Sequence, residues 1–319
     1  MNPLSLKVIF MGTAEFAVPS LEALVKAGHT ICAVVSQPDT PQGRGHRLTA
    51  SPVKIAAERL GLPVLQPIRV RSKAFQESLR SLEPDVIAVA AYGQIIPQSL
   101  LDLPRIAPIN VHGSLLPKYR GAAPIQRAIM ANEEETGVST MWMDAGIDTG
   151  DILLRESLPI GRDDTAGTLT PRLAILGAKL LLVTIERLAN NTLTRTPQDH
   201  IIATHAPMLQ PEDGRIRWEE RAEYISARIR GVNPKPGAYT EFQGKRVKVW
   251  MALSTDEQEV NTLPGTLLGF QKSPAGLRIS AGEQSVVLLT EVQPENGKRM
   301  NAGDWARGIR LIPGNSFSK

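Results

Sequence analysis

Cysteine is almost missing from this 319-residue chain, which has only Cys32, in the apolar run Ile31–Val35. One thiol cannot close an internal disulfide, so the disulfide framework of small secreted domains is excluded. A lone cysteine in an apolar run is more typical of buried packing than of a nucleophile. These features favour a reducing, cytoplasmic setting.

Long hydrophobic runs are missing as well. The run Leu6–Met11 is short, contains Lys7 and leads into a Gly-Thr turn, which suits neither a signal-peptide core nor a spanning helix. We expect no other segment to approach transmembrane length. With 42% hydrophobic and 21% charged residues, the chain can form one large or two ordinary domains. The sequence therefore predicts a globular protein without membrane contact.

Several common catalytic and binding motifs are absent too. The chain has no Gly-x-Ser-x-Gly elbow, and its five histidines and one cysteine show no zinc-ligand spacing. Asp144, Asp148 and Asp151 lack the EF-hand pattern, and Gly43-Arg44-Gly45 lacks the rest of a dinucleotide fingerprint. A serine-hydrolase triad and NAD are disfavoured, and we expect no metal.

The most informative feature present is the stretch Asn110–Ile125. It places the amide of Asn110 two positions before the imidazole of His112, where an apolar run gives way to Gly and Pro. In a strand this spacing puts both side chains on one face. Negative charge on a tetrahedral oxyanion needs preorganised hydrogen bonds and a proton source, which these two groups could supply. We therefore predict acyl-type chemistry at this point.

Short β-rich runs alternate with helix-like stretches through the first part of the chain. The apolar runs are Leu6–Met11, Ile31–Val35, Val64–Leu65, Val86–Ala91 and Ile106–Val111. Helical patterns such as Pro52–Leu60 and Lys73–Leu82 separate them. This order predicts an α/β, Rossmann-like, mostly parallel sheet flanked by helices. Ligands of such sheets bind at the carboxyl ends of the strands, where Tyr92, Asn110 and His112 would lie.

The character of the sequence changes after Asn190. Before it, a strand over Gly137–Met143, a Gly-rich loop over 144–151 and an amphipathic helix from about Thr165 to Leu188 should complete the first domain. After it, Asn/Thr/Pro-rich sequence leads to short β-like runs between turns. We predict a catalytic domain over 1–189, a linker over 190–208 and a smaller OB-like β-barrel over 209–319.

Most of the net charge of +4 lies in the second domain. From Pro207 to Lys319, sixteen Lys and Arg residues oppose thirteen Asp and Glu residues. Between Arg215 and Lys248, a stretch that includes Arg246, nine basic residues outnumber four acidic ones. Such a surface could follow a phosphate backbone, and a solvated face without a partner is the alternative interpretation.

The insertion Ser36–Ser51 is long for a connection between a strand and a helix. It carries Arg44 between two glycines, and Arg47 and Lys54 extend its basic character. Long polar loops on an α/β core tend to be functional or mobile. We interpret this one as a nucleic-acid contact, with a plain solvated loop as the alternative.

Six segments match one enzyme family in order and spacing. They are Phe10–Thr13, Gln37–Gly45, Ala91–Gly93, Asn110–Ile125, Met143–Ile152 and Pro313–Asn315. Through them the chain resembles the methionyl-tRNA formyltransferases, within the superfamily of formyltransferases that use formyltetrahydrofolate. The resemblance covers nearly the full length, with Ala14 as a departure where the family usually has Pro.

The resemblance implies an activity in translation initiation. A formyl group would pass from 10-formyltetrahydrofolate directly to the α-amine of methionine on initiator tRNA, with no enzyme nucleophile. Asn110 would hold the formyl oxygen, His112 would donate a hydrogen bond or proton to it, and Asp148 would orient or charge His112 and help to remove the amine proton. The alternatives are structural: a strand cap, a histidine in a turn and an Asx turn, for which Asp144 and Asp151 are better candidates.

The resemblance also implies binding segments. Folate would lie along Ser114, Leu115, Leu116 and Pro117 and along the segment Tyr92–Ile96, with Tyr92, Gly93 and Ile95 in contact. A core turn is the alternative for each segment. The tRNA would contact Arg44, Arg47, Lys54, Arg246 and Lys248. We expect a cytoplasmic monomer.

Two other kinds of function stay open. A formyltetrahydrofolate hydrolase or a purine-pathway formyltransferase would use the same Asn, His and Asp. Neither would need the basic second domain or the insertion with Arg44, because the substrate is small. A non-enzymatic RNA-binding protein on a retired enzyme fold would show no formyl transfer, and replacing His112 would barely change its RNA binding.

Overall fold

The computed structural model describes residues 5–42 and 47–318. In the first part of the chain, the strands are β1 (Lys7–Gly12), β2 (Thr30–Val35), β3 (Thr40–Gln42), β4 (Arg47–Thr49), β5 (Val64–Leu65), β6 (Val86–Ala90), β7 (Ala107–His112), β8 (Glu135–Trp142) and β9 (Ile152–Pro159). The helices are α1 (Val18–Lys26), α2 (Pro52–Arg59), α3 (Lys73–Arg80), α4 (Gln98–Leu101), α5 (Pro124–Met130) and α6 (Ala166–Ala189). The remainder contains α7 (Ala222–Gly231), β10 (Ala238–Phe242), β11 (Lys245–Gln258), β12 (Leu267–Lys272), β13 (Ala275–Ser280), β14 (Ser285–Pro294), β15 (Met300–Asn301) and α8 (Ala302–Gly308).

These elements form two compact units. The first comprises the chain up to Pro124 together with Glu135–Pro159 and Thr170–Pro207. The second comprises Ile125–Glu134, Ile160–Leu169 and the chain from Met208 onward.

A seven-stranded sheet forms the centre of the first unit. Its order is β5-β2-β1-β6-β7-β8-β9. The first five strands pair in parallel, and β8 and β9 are antiparallel to their neighbours. The chain builds outward from β1 through β2 and β5, then returns to add β6 and β7 on the other side. The switch point therefore lies between the carboxyl ends of β1 and β6, where ligands of such sheets bind. This confirms the predicted Rossmann-like, mostly parallel fold.

Helix α6 packs on this sheet through small residues. A Cβ on Gly177 would lie 2.7 Å from Cγ1 of Val111, so the glycine permits close approach. The hydroxyls of Thr184 and Thr140 lie 2.8 Å apart across the same contact. By length and composition α6 could cross a membrane, although half of its apolar window is buried, as in the core helix of a soluble protein. Arg172 and Lys179 interrupt the apolar run of this helix along the sequence, and one helix of this kind is weak evidence for a membrane span.

The second unit is built on an antiparallel sheet of order β10-β11-β14-β13-β12, with β15 beside β14. Near the C-terminus, Ser318 exchanges backbone hydrogen bonds with Glu241 of β10, while the carbonyl of Asn315 accepts one from Leu267 of β12. Residues 315–318 therefore connect the two edges, as in a small barrel. Four aromatic side chains, Trp218, Phe242, Trp305 and Phe317, pack in its core with ring centroids 5.4–6.2 Å apart.

The predicted linker belongs by its contacts to the first unit up to Pro207. Thr196 exchanges two backbone hydrogen bonds with Ile152, and Ala206 pairs with Arg120 and Ala123. We call residues 196–206 the strap, because they run along the first unit between these two attachments. The domain boundaries at 189 and 209 stay a prediction.

Candidate active site

Asn110 and His112 lie at the carboxyl end of β7. Val111 between them points to Gly177 of α6 on the opposite face of the sheet. The Nδ2 atom of Asn110 lies 3.3 Å from Oδ1 of Asp148, and Nδ1 of His112 lies 3.5 Å from Oδ2 of the same carboxylate. The two side chains predicted to share a face therefore converge on the third predicted residue.

Asp148 reaches this position from the loop between β8 and β9. Its φ of +52° is the left-handed conformation that Asp tolerates better than most residues. Its Oδ2 also accepts a hydrogen bond of 2.8 Å from the backbone N–H of Gly121. Asp144 instead forms the Asx turn of this loop, because its Oδ1 accepts bonds from the Gly146 N–H and the Thr149 hydroxyl. The turn predicted for Asp144 is confirmed, and the Asp148 carboxylate faces Asn110 and His112.

The two ring nitrogens of His112 have different partners. The side chain is buried, and Nε2 lies 2.9 Å from the carbonyl oxygen of Tyr119. A carbonyl can only accept, so Nε2 carries a proton in this arrangement. The other nitrogen, Nδ1, is the one on the side of Asp148 and Asn110.

Gln198 of the strap holds the backbone of the Asp148 loop. Its Nε2 donates to the carbonyl oxygens of Asp148, at 2.9 Å, and of Gly150, at 2.7 Å. Its Oε1 accepts from Nε of Arg120 at 3.0 Å and from Nη2 at 2.7 Å. Both Gln198 and Arg120 are buried. Sequence reasoning assigned neither residue a function, since a single glutamine in a polar stretch carries no periodic or motif signal.

The segment Tyr92–Ile96 follows β6 at the switch point of the sheet. The carbonyl of Tyr92 accepts bonds from the Thr13 hydroxyl and the Gln37 amide, each at 2.8 Å. The Tyr92 ring is buried, which raises the pKa of its hydroxyl to about 12. By contrast, the Ile95 side chain is 54% exposed. Within residues 5–42 and 47–318, the backbone groups of Gly93, Gln94 and Ile95 have no hydrogen-bond partner. This segment therefore presents an apolar side chain beside unused backbone donors and acceptors.

The other predicted folate segment lies largely in the interior. Ser114, Leu116 and Pro117 are buried, and only Leu115 is partly exposed. The Ser114 hydroxyl donates to the carbonyl of Lys118 at 2.6 Å, and its own carbonyl accepts from Ser139 at 2.7 Å. The predicted folate contact at these residues stays a prediction.

The insertion after β2 contains a hairpin of β3 and β4 where the sequence suggested a loop. At its base, the Lys54 ammonium lies 2.8 Å from the Asp39 carboxylate, which also accepts from Gln66 at 2.7 Å. These two bonds, to Gln66 and Lys54, hold the pKa of Asp39 below its usual value. Lys54 is thus engaged with its own chain. Arg44 and the side chain of Arg47 lie outside the described residues, so all three predicted tRNA contacts stay predictions.

Basic and aromatic side chains alternate on one face of the second unit. The guanidinium of Arg246 lies 4.0 Å from the ring centroid of Tyr239, and the Lys248 ammonium lies 6.0 Å from that of Trp250. The Arg299 guanidinium also lies over the Trp250 ring, 4.8 Å from its centroid, and forms an ion pair with Glu291. Arg246, Lys248 and Arg299 are exposed. We call Tyr239, Arg246, Lys248, Trp250 and Arg299 the cation–aromatic face.

Within the described parts of the chain, no three His, Cys, Asp or Glu side chains form a group that could hold a metal ion. A metal-independent reaction stays an expectation.

Comparison with known proteins identifies the family. Residues 6–185 match the formyl transferase family, and residues 208–310 match the formyl transferase C-terminal domain. The methionyl-tRNA formyltransferase of Syntrophus aciditrophicus is 50% identical over 309 residues, covering 97% of this chain and 98% of that protein. The one from Pelotomaculum thermopropionicum is 47% identical over 97% of both chains. The chain belongs to the methionyl-tRNA formyltransferase family.

Membership of the methionyl-tRNA formyltransferase family makes the chain a transferase, so a non-enzymatic RNA-binding protein is no longer an open alternative. Its fold is shared with a solved structure, the N-formyltransferase from Helicobacter canadensis in complex with folinic acid and dTDP-3-aminofucose. That structure has a TM-score of 0.66 at 22% identity and covers 92% of this chain and 100% of its own.

Proposed function

We propose that this chain transfers a formyl group from 10-formyltetrahydrofolate to the α-amine of methionine esterified to initiator tRNA. Relatives of 47–50% identity bear this activity in their name. The observation that carries the chemical part is the convergence of Asn110, His112 and Asp148 at the carboxyl end of β7. We further propose that the enzyme acts in the cytoplasm as a monomer.

Asn110 and His112 stabilise the negative charge that develops on the formyl oxygen as the amine bonds to the formyl carbon. The Asn110 amide has two N–H donors, and its contact with Asp148 uses one of them. When the His112 ring carries a second proton, its Nδ1–H is the donor on the same side. Donors placed before the reaction cost no reorganisation when the charge appears.

Asp148 accepts the proton that the attacking amine must lose, directly or through one water. Its carboxylate is only partly exposed and is held by the Gly121 N–H. As the new carbon–nitrogen bond forms, the bond between the formyl carbon and the folate nitrogen breaks, and that nitrogen takes up one proton. The overall transfer therefore releases no proton, which suits an acid and a base in contact.

The segment Tyr92–Ile96 is the better supported folate contact. 10-Formyltetrahydrofolate carries the formyl group on N10, outside its flat pterin ring, and the pterin needs edge hydrogen bonds and an apolar wall. The unused backbone groups of Gly93–Ile95 and the exposed Ile95 side chain fit this requirement. The proposal is supported by strand pairing, because the segment follows Ala90 at the end of β6 and Ala90 pairs with Val111, between Asn110 and His112.

The tRNA contact is proposed at the cation–aromatic face and at the insertion Ser36–Ser51, whose sequence includes Arg44 and Arg47. Exposed Arg246 and Lys248 suit phosphates, and partly exposed Tyr239 and Trp250 offer rings for stacking. Lys54 contributes by holding Asp39 at the base of the hairpin of β3 and β4.

The deciding experiment is incubation of the protein with 10-formyltetrahydrofolate and methionyl initiator tRNA, followed by mass analysis of the esterified amino acid. The proposal predicts a methionine heavier by one formyl group in place of one hydrogen. A parallel reaction without tRNA tests the hydrolase alternative. Rapid formate release there, with unmodified methionine in the full reaction, would contradict the proposal.

A further inference from the structure

We propose that Gln198 is a positioning residue that sets the Asp148 carboxylate in its reactive place, and that Arg120 holds Gln198 for this task. The inference rests on the proposed function of Asp148. It assigns a role in the active site to the strap, the part of the chain that sequence analysis treated as a linker.

The orientation of the Gln198 amide is fixed by its partners. Its nitrogen faces the carbonyl oxygens of Asp148 and Gly150, which can only accept, and its oxygen faces the Arg120 guanidinium, which can only donate. Two donated and two accepted bonds saturate the amide. A rotated amide would face four mismatched contacts in a buried site, so one orientation is strongly preferred.

These contacts form a closed ring around Asp148. Gln198 holds the backbone of Asp148, and the Asp148 carboxylate accepts from the N–H of Gly121. Gly121 is the neighbour of Arg120, whose guanidinium returns to Gln198. Two adjacent residues therefore hold Asp148. Arg120 holds its backbone through Gln198, and Gly121 holds its side chain directly.

Asp148 needs such support because its backbone is in the left-handed conformation, with φ +52°. Residues in sparsely populated backbone regions persist when surrounding contacts over-determine them. Gly121 also has a positive φ of 116°, and a Cβ there would lie 2.8 Å from the carbonyl oxygen of Ala206 in the strap. The strap thus restrains both Gly121, whose N–H donates to the Asp148 carboxylate, and the loop that carries Asp148.

The substitution Gln198→Glu separates the two halves of the ring. A carboxylate retains the contact with Arg120 and strengthens it, so the buried guanidinium keeps its partner. The other carboxylate oxygen replaces the amide nitrogen and would face the Asp148 and Gly150 carbonyl oxygens as an acceptor, so the hold on the loop is lost. Gln198→Asn is the second variant, which withdraws the amide by one methylene without adding a charge. Thermal melts identify a variant that fails to fold.

Amide hydrogen exchange reports the position of Asp148 independently of the chemistry. The Gly121 N–H bonds to the Asp148 carboxylate, whereas the nearby Ala123 N–H bonds to the Ala206 carbonyl at 3.0 Å. We expect protection of the Gly121 amide to fall about tenfold in either variant, while that of Ala123 changes little. We also expect kcat for formyl transfer to fall by about ten- to a hundredfold with little change in KM for folate.

The combined outcomes separate the two proposals. Unchanged Gly121 protection in a folded variant overturns the role of Gln198, whatever happens to kcat. Reduced Gly121 protection with unchanged kcat supports the role of Gln198 and contradicts the proposed function of Asp148. In the Asp148→Asn background, Gln198→Glu should lower kcat further by less than about threefold, because a residue that acts through Asp148 has nothing left to position. A fully additive loss would overturn the positioning role.

Discussion

Asn110 and His112, two residues apart on β7, direct Nδ2 and Nδ1 at the two oxygens of one carboxylate, that of Asp148, at 3.3 and 3.5 Å. The strand fixes their shared face, and the loop after β8 brings the acceptor to them. The Asn110 amide is one donor on this side, and Nδ1 of His112 becomes a second donor when the ring carries both protons. Together they could hold an oxyanion that develops beside the carboxylate.

Replacing Asp148 with Asn removes the negative charge of the side chain and keeps nearly the same shape. Asn retains an oxygen for the Gly121 N–H but cannot accept the amine proton or face a protonated His112 as an anion. We expect kcat to fall by about a hundredfold to ten-thousandfold, with KM for folate nearly unchanged. Single-turnover formyl transfer measures this directly. A loss confined to KM would show that Asp148 binds substrate and does not move a proton.

The ion pair at the base of the hairpin should appear in the pH dependence of stability. The bonds from Gln66 and Lys54 lower the pKa of Asp39 below its ordinary 3.8, so the folded state favours the ionised form. This contribution is fully present above the ordinary value and is lost as pH falls through the lower, folded value. Denaturant titrations of wild type and Asp39→Asn should therefore differ at neutral pH and approach each other as pH falls below about 4. A difference that is constant with pH would refute this account of Asp39.

The cation–aromatic face should determine much of the salt dependence of tRNA binding. Replacing Arg246 and Lys248 together with Ala should weaken binding and reduce the slope of log K against log salt by about one unit for each phosphate contact removed. Exposed Lys272, at the end of β12, is the matched control, and Lys272→Ala should leave the slope unchanged. Equal effects from the double variant and the control would indicate general charge attraction without a defined face.

Close packing of α6 on the sheet should make Gly177 intolerant of a side chain. A Cβ at this position would lie 2.7 Å from Val111 Cγ1 and 3.3 Å from Val138 Cγ1. Gly177→Ala should reduce the free energy of unfolding by about 1 to 3 kcal/mol. Gly308→Ala at the end of α8, where nothing lies within 4 Å, is the same substitution without a clash and should not destabilise. A neutral Gly177→Ala would mean that the helix can withdraw from the sheet at little cost.

Much of the first unit could be predicted from local sequence. Apolar runs marked β1, β2, β6 and β7, and the amphipathic pattern predicted α6 within one residue at each end. Strand β9 was missed because it lies at the edge of the sheet, and Arg155 and Glu156 end its apolar run after the three residues Ile152–Leu154. The hairpin of β3 and β4 was missed for a similar reason, since its polar strands form a separate two-stranded sheet.

The site could be predicted only where its residues follow one another along the chain. The two-residue spacing of Asn110 and His112 specifies a shared face, whereas Asp148 came from resemblance. Gln198 contacts the Asp148 backbone from fifty residues away. No periodicity or motif reports such a contact, because it exists only once the strap has packed on the first unit.

The most direct test of the oxyanion account is kcat of Asn110→Ala with methionyl initiator tRNA and 10-formyltetrahydrofolate at saturation. Loss of one preorganised donor should lower kcat by about a hundredfold or more, with little change in either KM. A kcat close to that of the wild type would contradict the account, since the amide would then have no part in holding the reacting oxygen.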